Sequence, residues 1–149
     1  MRRRQIVIAA SALVGALAMS GCTGSETAPS AAQPSATSTT DTMTCTGFND
    51  VLTITSNADA GLRDGRMAAQ EQEGWYRLAT RVLDGVPTSG DGAVSEAADA
   101  LKNVAPAIDL GALGTSGIGS AEWDSALEDM SDACSEANAE TAVEMFTGG

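Results

Sequence analysis

From Cys45 onward, apolar residues recur at steps of three and four, which is the spacing of one face of an α-helix. In the last part of the chain every fourth residue from Glu128 to Glu144 is acidic, which is typical of a solvated helix face. Ser120 suits the N-cap position before this stretch. The pattern predicts one long amphipathic helix, and its inward stripe comprises Trp123, Leu127, Met130, Cys134, Ala137, Thr141 and Met145.

Two shorter stripes predict two more helices. One follows Asp91 and ends near Pro106, because the residue before a proline is disfavoured in a helix. The other closes near Gly85 and Pro87. Their inward residues are Val94, Ala97, Leu101 and Val104 in the first, and Met67, Trp75, Leu78 and Val82 in the second. We therefore expect both tryptophans in the core and Tyr76 on an exposed side.

The first stretch of this region fits two structures. Helical spacing is seen at Cys45, Phe48, Leu52 and Thr55. Residues 51–55, however, are rich in β-branched side chains, which favour a strand. Helix is the preferred prediction, since a single strand would have no pairing partner. Four helices with short connections predict an all-α fold, an antiparallel four-helix bundle over residues 45–149 with many alanines in a thin core.

The N-terminus has the features of an export signal. Three arginines at positions 2–4 precede an apolar run over residues 6–19, which is too short to span a bilayer. The sequence Met19-Ser20-Gly21-Cys22 then resembles the lipobox of bacterial prolipoproteins. The resemblance implies a signal peptide over residues 1–21, acyl chains such as palmitate on Cys22, and a lipid-anchored protein at the extracytoplasmic face of the cell membrane. The alternative is a plain signal peptide cut nearby, with Cys22 incidental.

Residues 22–44 are predicted to be a disordered tether. They are rich in Ser, Thr, Ala and Pro and contain almost no large apolar residue, so ordering them would gain little buried surface. The part after this tether resembles small Ala-rich helical lipoproteins of actinobacteria, whose function is unknown. This resemblance predicts a fold and a cellular location but no activity.

The chain has three cysteines. Lipid on Cys22 would leave Cys45 and Cys134, and two thiols in one exported domain usually pair. We therefore predict a structural disulfide between them. The alternative is a redox pair, although such pairs are typically close in sequence.

Charge and composition exclude several functions. The chain has 20 acidic and eight basic residues and no histidine. Such a surface repels nucleic acids, and the absence of histidine removes Ser-His-Asp and Cys-His catalysis as well as His-ligated metals. We predict no catalytic residue, no metal site and no cofactor. The basic residues that remain after removal of the signal peptide are Arg63, Arg66, Arg77, Arg81 and Lys102.

Two loops resemble functional motifs only in part. Asp64-Gly65 with Glu71 resembles the second half of an EF-hand loop, but Ala60 and Leu62 stand where its first oxygen ligands belong. A turn is the preferred interpretation, with Asn57 and Asp59 as oxygen donors only in an unusual geometry. The glycine-rich residues 111–119 lack the Lys of a P-loop and the last Gly of a nucleophile elbow, so we predict a flexible connection, which is a candidate lid if a ligand binds.

These observations favour a non-catalytic cell-envelope lipoprotein that contacts another envelope protein. The first alternative is an extracytoplasmic module that binds a small ligand or a divalent cation. An enzyme that uses carboxylates alone is a third hypothesis, and it requires two acids that converge in one pocket.

Overall fold

The computed structural model describes residues 36–109, 111–112 and 114–146. Within these residues it contains no strand and four helices, which are α1 (Ala36–Arg63), α2 (Ala69–Asp84), α3 (Ala93–Val104) and α4 (Ala121–Glu136). The all-α prediction is confirmed, and so is the choice of helix for residues 51–55. The predicted signal peptide, Cys22 and the predicted tether up to residue 35 lie outside the described residues.

Helix α1 begins earlier than predicted, at Ala36 and not near Cys45. The predicted disorder of residues 36–44 is therefore wrong. Thr44 is fully buried, and its hydroxyl shares its single proton between the carbonyls of Pro87 at 2.8 Å and Thr40 at 3.0 Å. A small polar side chain can be buried when its hydroxyl is hydrogen-bonded. Residues 36–44 therefore belong to the fold although they contain almost no large apolar residue.

The helices pack as a bundle around α1. Helix α1 lies along α2, α3 lies along α4, and α1 also contacts α3 and α4. Fully buried side chains from all four helices meet in one cluster, and the largest are Phe48, Val51, Leu83, Leu101 and Met130. Buried alanines on α2, α3 and α4 accompany them, so the helices approach closely, as the alanine-rich composition predicted.

Cys45 and Cys134 form a disulfide that joins α1 to α4, with 5.8 Å between their Cα atoms. This prediction is confirmed. Both residues are buried, which favours the structural interpretation over an exchanging redox pair, because exchange requires access for an attacking thiolate.

Several helix ends lie where the sequence predicted them. The Ser120 hydroxyl accepts a hydrogen bond from the backbone N–H of Trp123 at 3.1 Å and caps α4. Gly65, with φ +69°, makes the predicted turn after α1. Lys102 on α3 donates to the carbonyls of Asp84 and Val86 at 3.1 and 2.7 Å, and so satisfies free carbonyls at the end of α2.

Helix α4 ends at Glu136, although the stripe predicted that it continues to Met145. Asn138 has φ 56°, its N–H donates to Ser135, and the N–H of Ala139 donates to Cys134 at 2.9 Å. These bonds form a Schellman motif with asparagine in the left-handed position, which terminates the helix. The prediction of one long helix is therefore wrong for residues 137–146.

Helix α2 is rotated relative to the prediction. Its buried residues are Ala79, Thr80 and Leu83, whereas Trp75 is 41% exposed and Leu78 is 44% exposed. The expectation that Trp75 lies in the core is wrong, and the same expectation for Trp123, which is 4% exposed, is confirmed. The small residues Ala79 and Thr80 are buried together with Leu83, whereas Trp75 and Leu78 are left on the outer side of α2.

Candidate functional site

The residues after α4 run along α1 as a non-helical segment. We call residues 139–146 the C-terminal segment. The disulfide and the Schellman motif position its start, because Cys134 is bonded to α1 at Cys45, one helical turn before Asn49. The segment then passes three polar residues of α1 that are spaced four apart, Asn49, Thr53 and Asn57, which we call the α1 ladder.

The first two residues of the α1 ladder hold the beginning of the C-terminal segment. The Asn49 carboxamide donates to the carbonyl of Glu140 at 3.3 Å and accepts from the N–H of Ala142 at 2.9 Å. The Thr53 hydroxyl accepts from the N–H of Glu144 at 3.1 Å. Asn49 thus brackets one residue of the segment with both ends of its carboxamide.

Asn57 repeats this arrangement further along. Its carboxamide donates to the carbonyl of Glu144 at 2.7 Å and accepts from the N–H of Phe146 at 2.7 Å. It also donates to the carbonyl of Thr53 on α1 at 2.7 Å, which fixes its orientation. The α1 ladder therefore makes five hydrogen bonds to the main chain of the C-terminal segment.

The spacing of the two chains explains why the contact persists over several residues. Four residues of an α-helix rise about 6 Å, and two residues of extended chain span about 6.6 Å. Every fourth residue of α1 therefore meets every second residue of the C-terminal segment. The N–H groups that donate belong to residues 142, 144 and 146, as this register requires.

The C-terminal segment is held by its main chain while its apolar side chains face outward. Val143, Met145 and Phe146 are 43%, 46% and 66% exposed. Phe146 lines one cavity together with Trp75 of α2, which is 41% exposed, so two large aromatic side chains are in contact with water on this side of the molecule. Apolar patches of this kind are typical of surfaces that contact another molecule.

A cavity of about 350 Å³ lies beside the C-terminal segment, with α1, the turn after it and α2 in its wall. Apolar side chains make up most of the lining, which includes Ile54, Met67, Trp75 and Phe146. A second cavity of about 570 Å³ is lined by Asp50 and Val82 and also by Glu144 of the segment. The two cavities share Thr53, Ile54 and Phe146, so they form one groove along α1.

The turn at Asp64 does not assemble the oxygen donors that a cation would need. The Asp64 carboxylate pairs with Arg63 at 3.4 Å and Arg66 at 3.1 Å, and the hydrogen bond from Arg66 lowers its pKa. Asn57 holds the C-terminal segment, and Asp59 accepts from Gln72 at 2.9 Å. In the part of the chain that the structure describes, no three acidic or cysteine side chains are grouped as a metal site.

Tyr76 is half-buried and joins α2 to α1, so the expectation that it is exposed is wrong. Its hydroxyl donates to the carboxylate of Asp59, and Gln72 donates to the same hydroxyl at 3.0 Å. Burial raises the pKa of Tyr76 above its ordinary value, and the carboxylate of Asp59 raises it further. The phenol therefore remains protonated and serves as a link between the helices.

The described part of the glycine-rich connection is tied to α2. Arg77 donates to the carbonyls of Ala112 and Gly114 at 2.7 and 2.6 Å, and the Glu73 carboxylate accepts from the N–H of Ser116 at 3.1 Å. Gly117 approaches the main chain of α3 so closely that a Cβ there would lie 2.0 Å from the Val104 carbonyl oxygen. These bonds argue against the predicted flexibility and against a lid.

The sequence pattern did not predict the α1 ladder. The only signal was a polar residue every four positions on α1, including two asparagines, which are poor helix formers in a helix interior. That pattern fits an ordinary solvated helix face equally well. The acidic residues that were predicted to share one helix lie in two elements. Glu128, Asp132 and Glu136 are exposed on α4, whereas Glu140 and Glu144 belong to the C-terminal segment.

Comparison of the chain with protein-family models, with curated proteins and with solved structures found no match. Among the described residues, the helices are too short or too polar for any of them to cross a membrane.

Proposed function

We propose that this chain is a non-catalytic, lipid-anchored interaction module at the extracytoplasmic face of the cell membrane. The lipobox pattern before Cys22 supports the anchor. The disulfide supports an extracytoplasmic location, because disulfides persist in oxidising environments. Its partner would be another protein of the cell envelope.

The observation that carries the interaction role is the apolar surface along α1 and α2. Trp75 and Leu78 are one helical turn apart on α2, and both are more than two-fifths exposed. Exposed aromatic residues beside a groove are typical anchors of protein–protein contacts. The adjacent C-terminal segment adds exposed apolar side chains to the same surface.

We also infer that the helices form an antiparallel bundle. Helices α1 and α2 are consecutive, are joined by a short turn and pack along each other. Helices α3 and α4 also pack along each other, but across the longer connection of residues 105–120. Consecutive helices that pack closely across a short connection run in opposite directions. This arrangement leaves the outer side of α2 free for a partner.

The second candidate function is binding of a small apolar ligand. The groove cavity of about 350 Å³ is large enough for such a ligand, and most of its wall is apolar. Binding of a divalent cation at the turn near Asp64 has less support, because two arginines already pair with this carboxylate. A thermal-shift screen with apolar ligands and with calcium distinguishes binding of an apolar ligand from binding of a cation.

The anchor and the interaction are tested together by crosslinking in cells, followed by capture of the full-length chain. Three variants accompany the wild type: Cys22→Ala, the double variant Trp75→Ala/Leu78→Ala, and Met43→Ala. Met43 is a matched control, because it is 59% exposed on α1 and lines neither groove cavity.

We expect one abundant envelope protein to be captured by the wild type and by Met43→Ala, and to be lost from the other two variants. The intact mass of the mature chain should show acyl chains on Cys22. Capture that is unaffected by Trp75→Ala/Leu78→Ala would contradict the proposed surface. A mature chain without lipid would contradict the anchor.

A further inference from the structure

We propose that the α1 ladder is a binding site for an extended polypeptide segment of a partner chain, and that the chain's own C-terminal segment occupies this site as an internal competitor. The proposal names the partner chemistry of the interaction module and in that respect rests on the proposed function. Binding of a peptide, however, requires neither the lipid anchor nor a cell.

The hydrogen-bonding pattern is the first reason. Asn49 and Asn57 each present a donor and an acceptor that bracket one residue of an extended chain, and all five bonds go to main-chain atoms. Main-chain atoms are the same in every polypeptide except at proline. The α1 ladder can therefore hold a different sequence in the same register, provided that residues at the positions of 142, 144 and 146 are not proline.

The weak attachment of the native occupant is the second reason. Every residue from Glu140 to Phe146 is exposed, so beyond Ala139, which packs against the core, the C-terminal segment buries no side chain there. Its hydrogen bonds are open to water, where each contributes little. A segment of this kind opens locally without unfolding of the bundle.

The charges and the cavity define which partner would displace it. Glu144 and Asp50 line the same cavity, so the native segment places one carboxylate near another. A basic residue at the Glu144 position would instead be attracted to Asp50. Phe146 borders the 350 Å³ cavity but is 66% exposed, so a large apolar residue that enters this cavity would bury more surface. The partner is thus an extended segment with a basic residue followed, two positions later, by a large apolar one.

The test opens the native segment without altering α1. In the mature full-length chain, Ala142→Pro/Glu144→Pro removes two N–H groups that donate to the α1 ladder. Thr141→Pro/Val143→Pro is the matched control, because within the described residues these two N–H groups have no hydrogen-bond partner. The probe is a fluorescein-labelled peptide of residues 139–149 with Glu144→Lys, and its binding is followed by fluorescence anisotropy.

We expect the peptide to bind the Ala142→Pro/Glu144→Pro chain at least tenfold more tightly than the control chain, in which the native segment still competes. Adding Asn49→Ala and Asn57→Ala to the opened chain should abolish binding. The peptide with glutamate at position 144 should bind several-fold more weakly at low salt. The proposal would be overturned if the peptide did not bind the opened chain, or if its affinity were unchanged by loss of the two asparagines.

A second measurement uses the unaltered chain and does not depend on folding of the proline variants. Excess peptide should move the amide NMR signals of Ala142 and Glu144 to the positions of a free segment, and unchanged signals would overturn the proposal. A concentration-dependent dimer of the native chain that disappears in Ala142→Pro/Glu144→Pro would assign the site to a second copy instead, and would overturn the claim of a separate partner.

Failure of this proposal and failure of the proposed function give different results in cells. If the partner is captured equally well by Asn49→Ala/Asn57→Ala, the interaction role stands and the α1 ladder is not its site. If the peptide binds in solution through these asparagines but no envelope protein is captured, the site stands and the cellular role fails.

Discussion

Helix α1 holds two neighbouring parts of the molecule by opposite means. On its core side Phe48 is fully buried among apolar side chains, and Cys45 is bonded covalently to α4. On its ladder side it holds the C-terminal segment through hydrogen bonds to the main chain, while Phe146 remains two-thirds exposed. One helix thus combines a permanent contact with one that is open to exchange.

Substitution of the two phenylalanines is expected to give the largest contrast. Phe48→Ala should lower the free energy of unfolding by about 3–5 kcal/mol, because it leaves a cavity in the core. Phe146→Ala should change it by no more than about 0.5 kcal/mol, because the side chain is mostly exposed. Urea denaturation with the disulfide intact measures both. Similar losses in the two variants would show that the C-terminal segment belongs to the core.

Removal of the disulfide should have the next largest effect. Cys45→Ala/Cys134→Ala frees a loop with a sequence separation of 89 residues, and we expect a loss of about 2–5 kcal/mol. Because the bond also holds the end of α4 against α1, amide signals of the C-terminal segment should shift toward those of a free chain. A variant that is destabilised while these signals stay in place would show that the disulfide does not position the segment.

Loss of the α4 cap should be smaller still. Ser120→Ala removes the acceptor for the Trp123 N–H and should cost about 1 kcal/mol. Ser125→Ala is the matched control, since this exposed serine lies inside α4. Thermal unfolding should give a lower Tm for Ser120→Ala and an almost unchanged Tm for Ser125→Ala. Equal shifts in both variants would contradict the capping role.

The smallest effect should appear only at high pH. The pKa of Tyr76 is raised in the fold, first by burial and then by the Asp59 carboxylate. The folded state therefore retains a proton that the unfolded state loses above about pH 10, so stability should decline as pH rises beyond that value. Tyr76→Phe should flatten this decline when stability is followed by urea denaturation from pH 8 to 11. A slope identical to that of the wild type would contradict the assignment.

The sequence predicted the core side of α1 well and the ladder side not at all. The disulfide, the Ser120 cap and the turn at Gly65 follow from local chemistry that leaves a clear mark in the sequence. The helical stripe after Trp123 continues to Met145, and Asn138 is a weak stop signal, so the true end of α4 was missed. Contacts to the main chain of a segment leave no pattern in its side chains.

The rotation of α2 could not be predicted for a different reason. Periodicity shows that Trp75, Leu78 and Val82 share a face, but it does not show which face meets the core. Ala79 and Thr80 are buried because their small size allows close packing, and their burial leaves Trp75 outside. That exposed tryptophan is the basis of the proposed interaction surface, so the departure from the hydrophobic pattern coincides with the candidate site.

Amide hydrogen exchange of the mature chain, measured residue by residue, distinguishes an exchangeable C-terminal segment from the permanent core contact of α1. The amides of residues 142, 144 and 146 should exchange more slowly than those of residues 141, 143 and 145, and Asn49→Ala/Asn57→Ala should remove that alternation. Core amides of α1 should exchange only through global unfolding, whereas the segment should open locally in the same sample. Uniformly fast exchange over residues 141–146, or protection as strong as that of the core, would contradict an exchangeable contact held by the α1 ladder.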